Sequence, residues 1–274
     1  MHAHKCSNGE VKMRDPFKIS GPTCISFSGG RSSAYMLWRV LQSNGGLPAD
    51  AVVCFANTGK EDEATLRFVR DCGEQWGVKI NWLEYRADGF ACVDYESASR
   101  SGEPFEALIT KKNYLPNPVA RFCTEELKVK TINRFLEANG IDAETMVGVR
   151  ADEPRRVGKL RERGLLVPLV DSGVRQEEVQ SFWKSTAFDL GLEFRDGITA
   201  LGNCDLCFLK GPWQVMALIR DKPERAIWWA QQELKIGATF RSDRHNYVQM
   251  LKFAQTQTDM FNPNEETIPC FCGD

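Results

Sequence analysis

Cysteines are the residues with the most informative spacing in this chain of 274 residues, which contains ten of them. Cys204 and Cys207 form a Cys-x-x-Cys pair, Cys123 lies at the start of a predicted helix, and Cys270 and Cys272 lie in the tail. A Cys-x-x-Cys pair on a loop brings two thiolates within reach of one metal centre. Because four thiolates suit zinc as well as an iron–sulfur cluster, the spacing alone predicts a metal site and leaves the metal open.

A glycine turn near the start of the chain has the composition of an anion site. The segment Ser28-Gly29-Gly30-Arg31-Ser32-Ser33 separates an apolar run from a run with helical spacing. Glycine lets the backbone approach a phosphate and tolerates positive φ, and a helix N-terminus adds free N–H groups and a favourable dipole. Arg31 adds a guanidinium fork. We therefore expect all six residues to hold a phosphate or sulfate group.

Basic residues follow two other segments of the chain. Arg150, Arg155 and Arg156 come directly after an apolar run at 145–149, where they could neutralise charge near a leaving phosphate. Lys128 follows Cys123 in a second basic segment. We expect Arg150 and Lys128 to take part in catalysis.

The elements that would position these residues indicate an α/β fold. Apolar runs predict five strands, at 23–27, 51–56, 78–85, 145–149 and 165–169. Helical patterns between them predict a doubly wound five-stranded parallel sheet. Ligands of such sheets bind at the carboxyl ends of the strands. Asn57-Thr58-Gly59 lies at such an end, so we expect it to line a nucleoside.

The connections between these elements differ in character. Residues 86–120 are rich in glycine and proline and are predicted to be irregular. Thr124 is a plausible N-cap for a helix that runs to about Ala138, and a further helix is predicted over Glu177 to Leu190.

The chain is predicted to have three parts. Residues 1–20 form a polar lead-in, residues 21–200 a nucleotide-binding domain, and residues 201–274 a cysteine-containing helical extension. Within the extension, helical spacing predicts helices at 212–219, 223–234 and 243–256.

Composition limits the classes of function. With 42% hydrophobic residues and a net charge of −2, the chain has no global attraction to nucleic acid or membrane. It contains no apolar run long enough to span a bilayer and no signal-peptide core near its start, so a cytoplasmic protein is expected. The histidines, His2, His4 and His245, give little support to a histidine-rich metal site or a Ser-His-Asp triad.

Several motifs in order resemble those of the phosphoadenylyl-sulfate (PAPS) reductase family, including its adenylyl-sulfate (APS) reductase branch, in the adenine nucleotide alpha-hydrolase-like superfamily. These motifs are Ser-Gly-Gly-Arg-Ser-Ser at 28–33, Asn-Thr-Gly-x-Glu at 57–61, Arg-x-Cys-Thr-x-x-Leu-Lys at 121–128, Gly-x-Arg-x-x-Glu-x-x-Arg at 148–156, and Cys-x-x-Cys at 204–207. The resemblance spans roughly residues 22 to 210. It implies an adenine-nucleotide substrate, PAPS, APS or ATP.

The same resemblance implies roles for the cysteines. In APS reductases a cysteine pair before the basic helix and a later Cys-x-x-Cys hold a four-iron four-sulfur (4Fe-4S) cluster, which favours a cluster over zinc here. Cys123, Cys204 and Cys207 match ligands of that cluster, and Phe122 stands where the fourth would be.

The tail supplies candidates for the missing roles. Cys270 is the expected fourth ligand. Cys272, which precedes Gly273, partly matches the nucleophilic cysteine of sulfonucleotide reductases. The two tail cysteines could exchange these roles.

Three functions remain open. In the first, a tail thiolate attacks the sulfur of a sulfonucleotide, and a thioredoxin-like reductant then releases sulfite. In the second, the protein activates a nucleic acid with ATP and the cluster delivers sulfur to it, as in thiolation enzymes of this superfamily. In the third, the chain is a nucleotide-binding module with structural zinc.

Overall fold

The computed structural model describes residues 15–195 and 198–256 of the chain. At its centre is a five-stranded sheet with strand order β4-β3-β2-β1-β5. Its strands are β1 (Thr23–Ser26), β2 (Ala51–Asn57), β3 (Ile80–Arg86), β4 (Gly89–Val93) and β5 (Glu144–Val147). β1 pairs in parallel with β2 and β5, β2 pairs in parallel with β3, and β4 runs antiparallel to β3. The predicted α/β fold is confirmed, with a mostly parallel sheet.

Helices connect and surround these strands. In chain order they are α1 (Arg31–Asn44), α2 (Glu63–Trp76), α3 (Glu103–Lys112), α4 (Phe122–Thr124), α5 (Lys130–Ala138), α6 (Pro154–Glu162), α7 (Pro168–Asp171), α8 (Gln176–Ser185), α9 (Pro212–Asp221), α10 (Arg225–Ile236) and α11 (Tyr247–Thr256). A π-helical turn, Glu125–Val129, joins α4 to α5. Two short strands, β6 (Phe194–Arg195) and β7 (Ile198–Thr199), pair with each other.

The sheet is doubly wound because its strands alternate buried side chains between two helical layers. Ile25, Val53 and Phe55 pack in a core with α1, α2 and α8. Cys24 and Cys54 point to the opposite face and pack in a core with α5. This arrangement brings the ends of β1, β2 and β5 to one edge, between the two layers.

The fifth strand differs from the predicted one. The run at 165–169 makes only an isolated parallel bridge, between Leu166 and Met146, because Pro168 lacks the N–H that a strand would need and instead begins α7. The fifth strand is β4, in a region predicted to be irregular, which also contains α3. Arg86 pairs with Gly89 across a two-residue turn, and so short a connection requires an antiparallel neighbour.

Two predicted helix boundaries also shift. The helix near Cys123 begins at Phe122, and Thr124 lies inside it with helical dihedrals, φ −61° and ψ −46°. Thr124 is therefore not an N-cap. The helix predicted over 177–190 ends earlier, at Ser185.

The three helices predicted after residue 200 are confirmed as α9, α10 and α11. They share a core with α3, in which Phe105 and Leu108 contact a cluster that includes Val215, Trp229 and Tyr247. The domain boundary at residue 200 stays a prediction. Within residues 15–195 and 198–256, no helix combines the length and the apolar character that crossing a bilayer requires.

Candidate functional site

Hydrogen bonds of Ser28 and Ser33 hold the glycine turn after β1 in place. Ser33 Oγ accepts the Ser28 N–H at 3.2 Å, donates to the Gly30 carbonyl at 3.0 Å, and lies 2.9 Å from Ser28 Oγ. Gly29 has φ 80°, and a Cβ added there would lie 2.7 Å from Thr65 Cγ2, so a larger residue would strain the turn. α1 has Gly30 as its N-cap with no side-chain cap. The turn therefore has the backbone of an anion-binding loop.

The loop after β5 lies directly against this turn. A Cβ added at Gly148 would lie 2.6 Å from Ser33 Cα, so the two backbones touch. Arg150 Nη1 donates to Ser32 Oγ at 2.9 Å. β1 and β5 are neighbours in the sheet, and the chain reaches β5 by a crossover on the face opposite α1. Their ends form the switch point where sheets of this type bind ligands.

The three arginines predicted near a leaving phosphate lie in different environments. Arg150 reaches the glycine turn. Arg156 is buried and donates to Glu153 Oε1 at 2.5 Å, while Glu153 Oε2 accepts the Arg150 N–H at 3.0 Å. Arg155 is exposed. The Arg156–Glu153 pair thus orders the loop that carries Arg150, and the phosphate-binding roles of all three stay predictions.

The Arg31 side chain makes its hydrogen bonds outside the glycine turn. Its Nε donates to Asp189 Oδ1 at 2.7 Å, and its Nη2 donates to the Leu192 carbonyl at 3.1 Å. Burial favours the neutral Asp189 carboxyl, but the hydrogen bond and charge of Arg31 outweigh it and lower the pKa of Asp189 below its ordinary value. Arg31 therefore ties α1 to the segment after α8, and its predicted contact with a phosphate stays a prediction.

A groove of about 620 Å³ opens beside the switch point. Its size is within the range of small-molecule sites. Ser26, Phe27 and Ser28 line it from the end of β1, and Ala56 lines it from β2. Its charged lining residues are three cations, Lys128, Lys159 and Arg163, and three acids, Glu137, Asp142 and Glu144. The groove is large enough for a nucleotide, and its charged lining is mixed.

Asn57 holds the loop after β2 in place. Its Nδ2 donates to Glu84 Oε1 at 2.7 Å and to the Ser99 carbonyl at 2.9 Å, and its Oδ1 accepts the Gly59 N–H at 3.0 Å. These contacts lie within the protein, and the Asn57 side chain is buried. The groove is lined from this strand by Ala56, while the predicted contact of Asn57, Thr58 and Gly59 with a nucleoside stays a prediction.

Three predicted metal ligands converge on one small cavity of about 20 Å³. Cys123 reaches it from α4, and Cys204 and Cys207 reach it from the turn before α9, where the Cys207 N–H donates to the Cys204 carbonyl at 3.3 Å. Apolar side chains close the cavity, namely Phe105, Leu127, Phe208, Leu209 and Trp229. The structure thus brings together residues from distant parts of the chain. Cys270 and Cys272 lie outside the described residues.

The donor set at this cavity is three thiols, the ligand type that zinc and iron–sulfur clusters share. Among the residues that the structure describes, no three Cys, His, Asp or Glu side chains are grouped closely enough to hold one metal ion. The choice between zinc and a cluster therefore stays a prediction. Cys123, Cys204 and Cys207 would hold such a cluster.

The surroundings of Cys204 favour its neutral thiol. Burial raises the pKa of the Cys204 thiol well above its usual range, and nearby Glu61 and Cys207 raise it further, while Lys128 and a hydrogen bond with Thr58 oppose them. A bound cation reverses this balance, because thiols that coordinate a metal are deprotonated.

Glu61 lies beside this site, although it was not among the predicted site residues. α2 begins two residues later, and Asp62 is its N-cap. The Glu61 side chain is 1% exposed, and its Oε2 accepts the N–H and hydroxyl of Thr58 at 2.9 and 2.8 Å. Thr58 Oγ1 also lies 3.5 Å from Cys204 Sγ. The signal that could have identified Glu61 is its place in Asn-Thr-Gly-x-Glu.

Lys128 and Thr124 line both the groove and the cysteine cavity. Both residues belong to the helix that passes between the two. Lys128 Nζ lies 3.6 Å from Glu61 Oε1, and its side chain is 14% exposed. The two cavities therefore share a wall, and that wall contains a largely buried ammonium group.

Comparison with known proteins gives two relatives by sequence. No family model matches the chain. Over 211 residues it is 29% identical to the uncharacterized nin region protein ORF290 of Escherichia phage lambda, covering 72% of this chain and 69% of that protein. Over 137 residues it is 31% identical to the uncharacterized protein MJ0066 of Methanocaldococcus jannaschii, covering 50% of this chain and 24% of that protein.

Among solved structures, the chain is similar to the U34-tRNA thiolase NcsA from Methanococcus maripaludis with its [4Fe-4S] cluster. The superposition has a TM-score of 0.39 and 15% sequence identity, and it covers 96% of this chain and 82% of that chain. A likeness at this level supports no statement about function.

Proposed function

We propose that this protein is an iron–sulfur-dependent sulfurtransferase that uses an adenine nucleotide to activate a nucleic-acid substrate. The observation that carries the proposal is the shared wall, Lys128 and Thr124, between a nucleotide-sized groove and a cavity lined by three cysteines. A reaction that combines nucleotide activation with sulfur transfer needs the two sites to be adjacent. The activated substrate must react with sulfur before water hydrolyses it.

The groove and the glycine turn beside it supply the features that nucleotide activation needs. The turn at 28–33 offers helix N–H groups to a phosphate, and Arg150 is held at that turn by Ser32. Lys128 lines the groove and could neutralise charge that develops on the phosphate. In the proposed reaction an oxygen of the substrate attacks the α-phosphorus of ATP and releases pyrophosphate. Sulfur from a sulfide donor then displaces AMP from the adenylated carbon.

The cysteine cavity supplies the site for sulfur. Cys123, Cys204 and Cys207 are the residues that would hold a 4Fe-4S cluster, and the apolar lining of the cavity would limit access of water and oxygen. When bound, such a cluster can carry sulfur at iron. Lys128 and Glu61 would set the charge beside it.

The substrate class is argued from charge near the groove. α6 contains four basic residues and one acidic residue in its nine positions. Lys159 and Arg163 line the groove itself, and Arg155 is exposed beside them. Lys and Arg side chains of this kind contact the phosphates of nucleic acids. They support a polyanionic substrate, although Glu137, Asp142 and Glu144 also line the groove and the chain as a whole is not basic.

The experiment is a sulfur-transfer assay with protein purified without oxygen. The protein is incubated with ATP, a sulfide source and either transfer RNA or DNA, and the nucleic acid is digested and examined for thionucleosides by mass spectrometry. We expect sulfur incorporation that requires ATP and releases AMP and pyrophosphate. Sulfite release from PAPS or APS without nucleic acid would contradict the proposal and favour the reductase. Bound zinc without labile sulfide would favour the binding module.

A further inference from the structure

An aromatic side chain is exposed on the loop between α3 and α4. Tyr114 is 49% exposed, and its ring lies against Phe122, with 6.2 Å between the ring centroids and 37° between the ring planes. Phe122 is partly buried against the core that α3 shares with the helices after residue 200. The core therefore supports Phe122, and Phe122 supports a tyrosine ring that remains accessible to solvent.

The loop that carries Tyr114 is anchored beside the ring. Leu115 and Pro116, which follow it, are buried. Asn117 Nδ2 donates to the Tyr114 hydroxyl at 2.9 Å, and Asn117 Oδ1 accepts the Val119 N–H at 3.0 Å. These contacts hold the Tyr114 ring in one place before a ligand binds, which lowers the entropy cost of binding.

The same loop is positively charged, although the chain as a whole is not. Residues 111–122 contain three basic residues and no acidic residue, whereas the chain has a net charge of −2. Lys112 Nζ lies 5.9 Å from the centre of the Phe122 ring, and the Lys112 side chain is 41% exposed. The Lys112 ammonium also lies 3.1 Å from Glu126 Oε1. An ammonium has three N–H donors, so it can bind a phosphate as well as this carboxylate.

An exposed aromatic ring beside a cation is a combination that binds single-stranded nucleic acid. Unpaired bases stack on aromatic side chains, and cationic side chains contact the phosphates between them. A base inside a duplex is already stacked on its neighbours and reaches a protein ring only after it leaves the stack. The loop also leads directly into the wall shared by the two cavities, because Phe122 begins α4 and Thr124 lines both.

We propose that Tyr114, supported by Phe122, stacks on an unpaired nucleobase of the substrate and that Lys112 contacts an adjacent phosphate. This inference rests on the proposed function, because it takes the substrate to be a nucleic acid. It adds that the substrate is single-stranded where it meets α4. The hydroxyl of Tyr114 anchors the loop, whereas the ring makes the contact with the base.

The test measures binding alone, by fluorescence anisotropy with the full chain and without ATP or sulfide. The probes are labelled single strands of RNA and of DNA, each about twelve nucleotides long, and the corresponding duplexes. Tyr114→Leu removes the ring, Tyr114→Phe keeps the ring but loses the hydrogen bond with Asn117, and Lys112→Gln removes the cation. Trp213→Leu is the matched control, because Trp213 is an aromatic residue of α9 that is 37% exposed and lies outside this loop.

We expect the wild type to bind at least one of the single strands more tightly than the duplex, and the tighter strand identifies the substrate as RNA or DNA. Tyr114→Leu should raise the Kd for that strand about tenfold. Tyr114→Phe and Trp213→Leu should stay within about twofold of the wild type. Lys112→Gln should reduce the slope of log Kd against log salt concentration by about 0.7, the value for one phosphate contact on a single strand.

Several outcomes would overturn the inference. Duplexes that bind as tightly as the single strands would exclude stacking, and so would an unchanged Kd in Tyr114→Leu. An equal loss in Tyr114→Phe would assign the effect to the loop anchor, and an equal loss in Trp213→Leu would show that the effect is not specific to this loop. An unchanged salt slope in Lys112→Gln would refute the phosphate contact.

Failure of this inference is distinguishable from failure of the proposed function. Thionucleoside formation together with an unchanged Kd in Tyr114→Leu would overturn the stacking contact alone. Single-strand binding that depends on the Tyr114 ring, in a protein that transfers no sulfur, would overturn the proposed reaction and leave the stacking contact standing.

Discussion

Lys128 Nζ lies 3.6 Å from Glu61 Oε1, and this ion pair stands in the wall between the groove and the cysteine cavity. The Lys128 side chain is largely buried, so solvent screens its charge only weakly. An anionic nucleotide in the groove would compete with Glu61 for the ammonium. Under the proposed function, Lys128 would link occupancy of the groove to the state of the cysteine site.

Replacing Lys128 tests this link. We expect Lys128→Met to lower the rate of sulfur transfer at saturating ATP by about tenfold or more, because it removes a cation that stabilises developing charge. The matched control is Lys130→Met, on the same helix, since Lys130 pairs with Glu126 and lines neither cavity. Equal losses in the two variants would show that Lys128 has no special role.

The contact between the two loops at the switch point tolerates no added side chain. We expect Gly148→Ala to lower the free energy of unfolding by about 1–3 kcal/mol and to weaken ATP binding, because its Cβ would meet the Ser33 backbone. Gly158→Ala, within α6 and with open space around it, should instead raise stability by up to about 1 kcal/mol. Denaturant unfolding measures both, and a stable Gly148→Ala variant would contradict the close contact.

Arg150 should matter for nucleotide affinity. Its hydrogen bond with Ser32 holds a guanidinium at the turn, and a hydrogen bond to a charged group contributes about 1.5–3 kcal/mol. Arg150→Met is thus expected to raise the Kd for ATP by about tenfold or more in calorimetry. The control is Arg70→Met, because Arg70 pairs with Asp71 on α2, away from the groove. An unchanged Kd for Arg150→Met would show that Arg150 does not contribute to ATP binding.

The Arg31–Asp189 pair predicts a pH-dependent contribution to stability. Because the folded-state pKa of Asp189 is lowered, the pair stabilises the fold above the ordinary aspartate pKa, near 3.9, and loses this contribution as pH falls through the lower folded-state value. With Asp189 partly exposed, the effect should be about 1 kcal/mol or less. The difference in unfolding free energy between wild type and Asp189→Asn should therefore shrink on acidification. A difference that grows at low pH would contradict the assignment.

The fold was predictable where strands are buried on both faces. β1, β2, β3 and β5 are signalled by apolar runs because helices cover them on both sides. β4 was missed because its residues are half-exposed and its pairing depends on the turn after Arg86. The run at 165–169 is apolar for a different reason. Val167 and Leu169 pack in the core without joining the sheet.

The parts of the site that were predictable are those formed by residues close together in the sequence. The glycine turn and the Cys-x-x-Cys pair are contiguous segments, so their geometry follows from short-range rules. The burial of Glu61 depends on its bridge with Cys204, which is distant in sequence. Likewise, the ion pair of Arg31 depends on Asp189, which follows α8. Such pairings arise from tertiary packing, so the motifs that contain Glu61 and Arg31 do not predict these contacts.

The most direct test is the iron and labile sulfide content of protein purified without oxygen, compared between wild type and Cys207→Ser. Cys207 lines the cavity, whereas the exposed Cys92 offers a matched control as Cys92→Ser. We predict about four irons and four sulfides per chain for wild type and Cys92→Ser, and loss of most of both in Cys207→Ser. Stoichiometric zinc without sulfide, or a full cluster in Cys207→Ser, would contradict an iron–sulfur site at these cysteines.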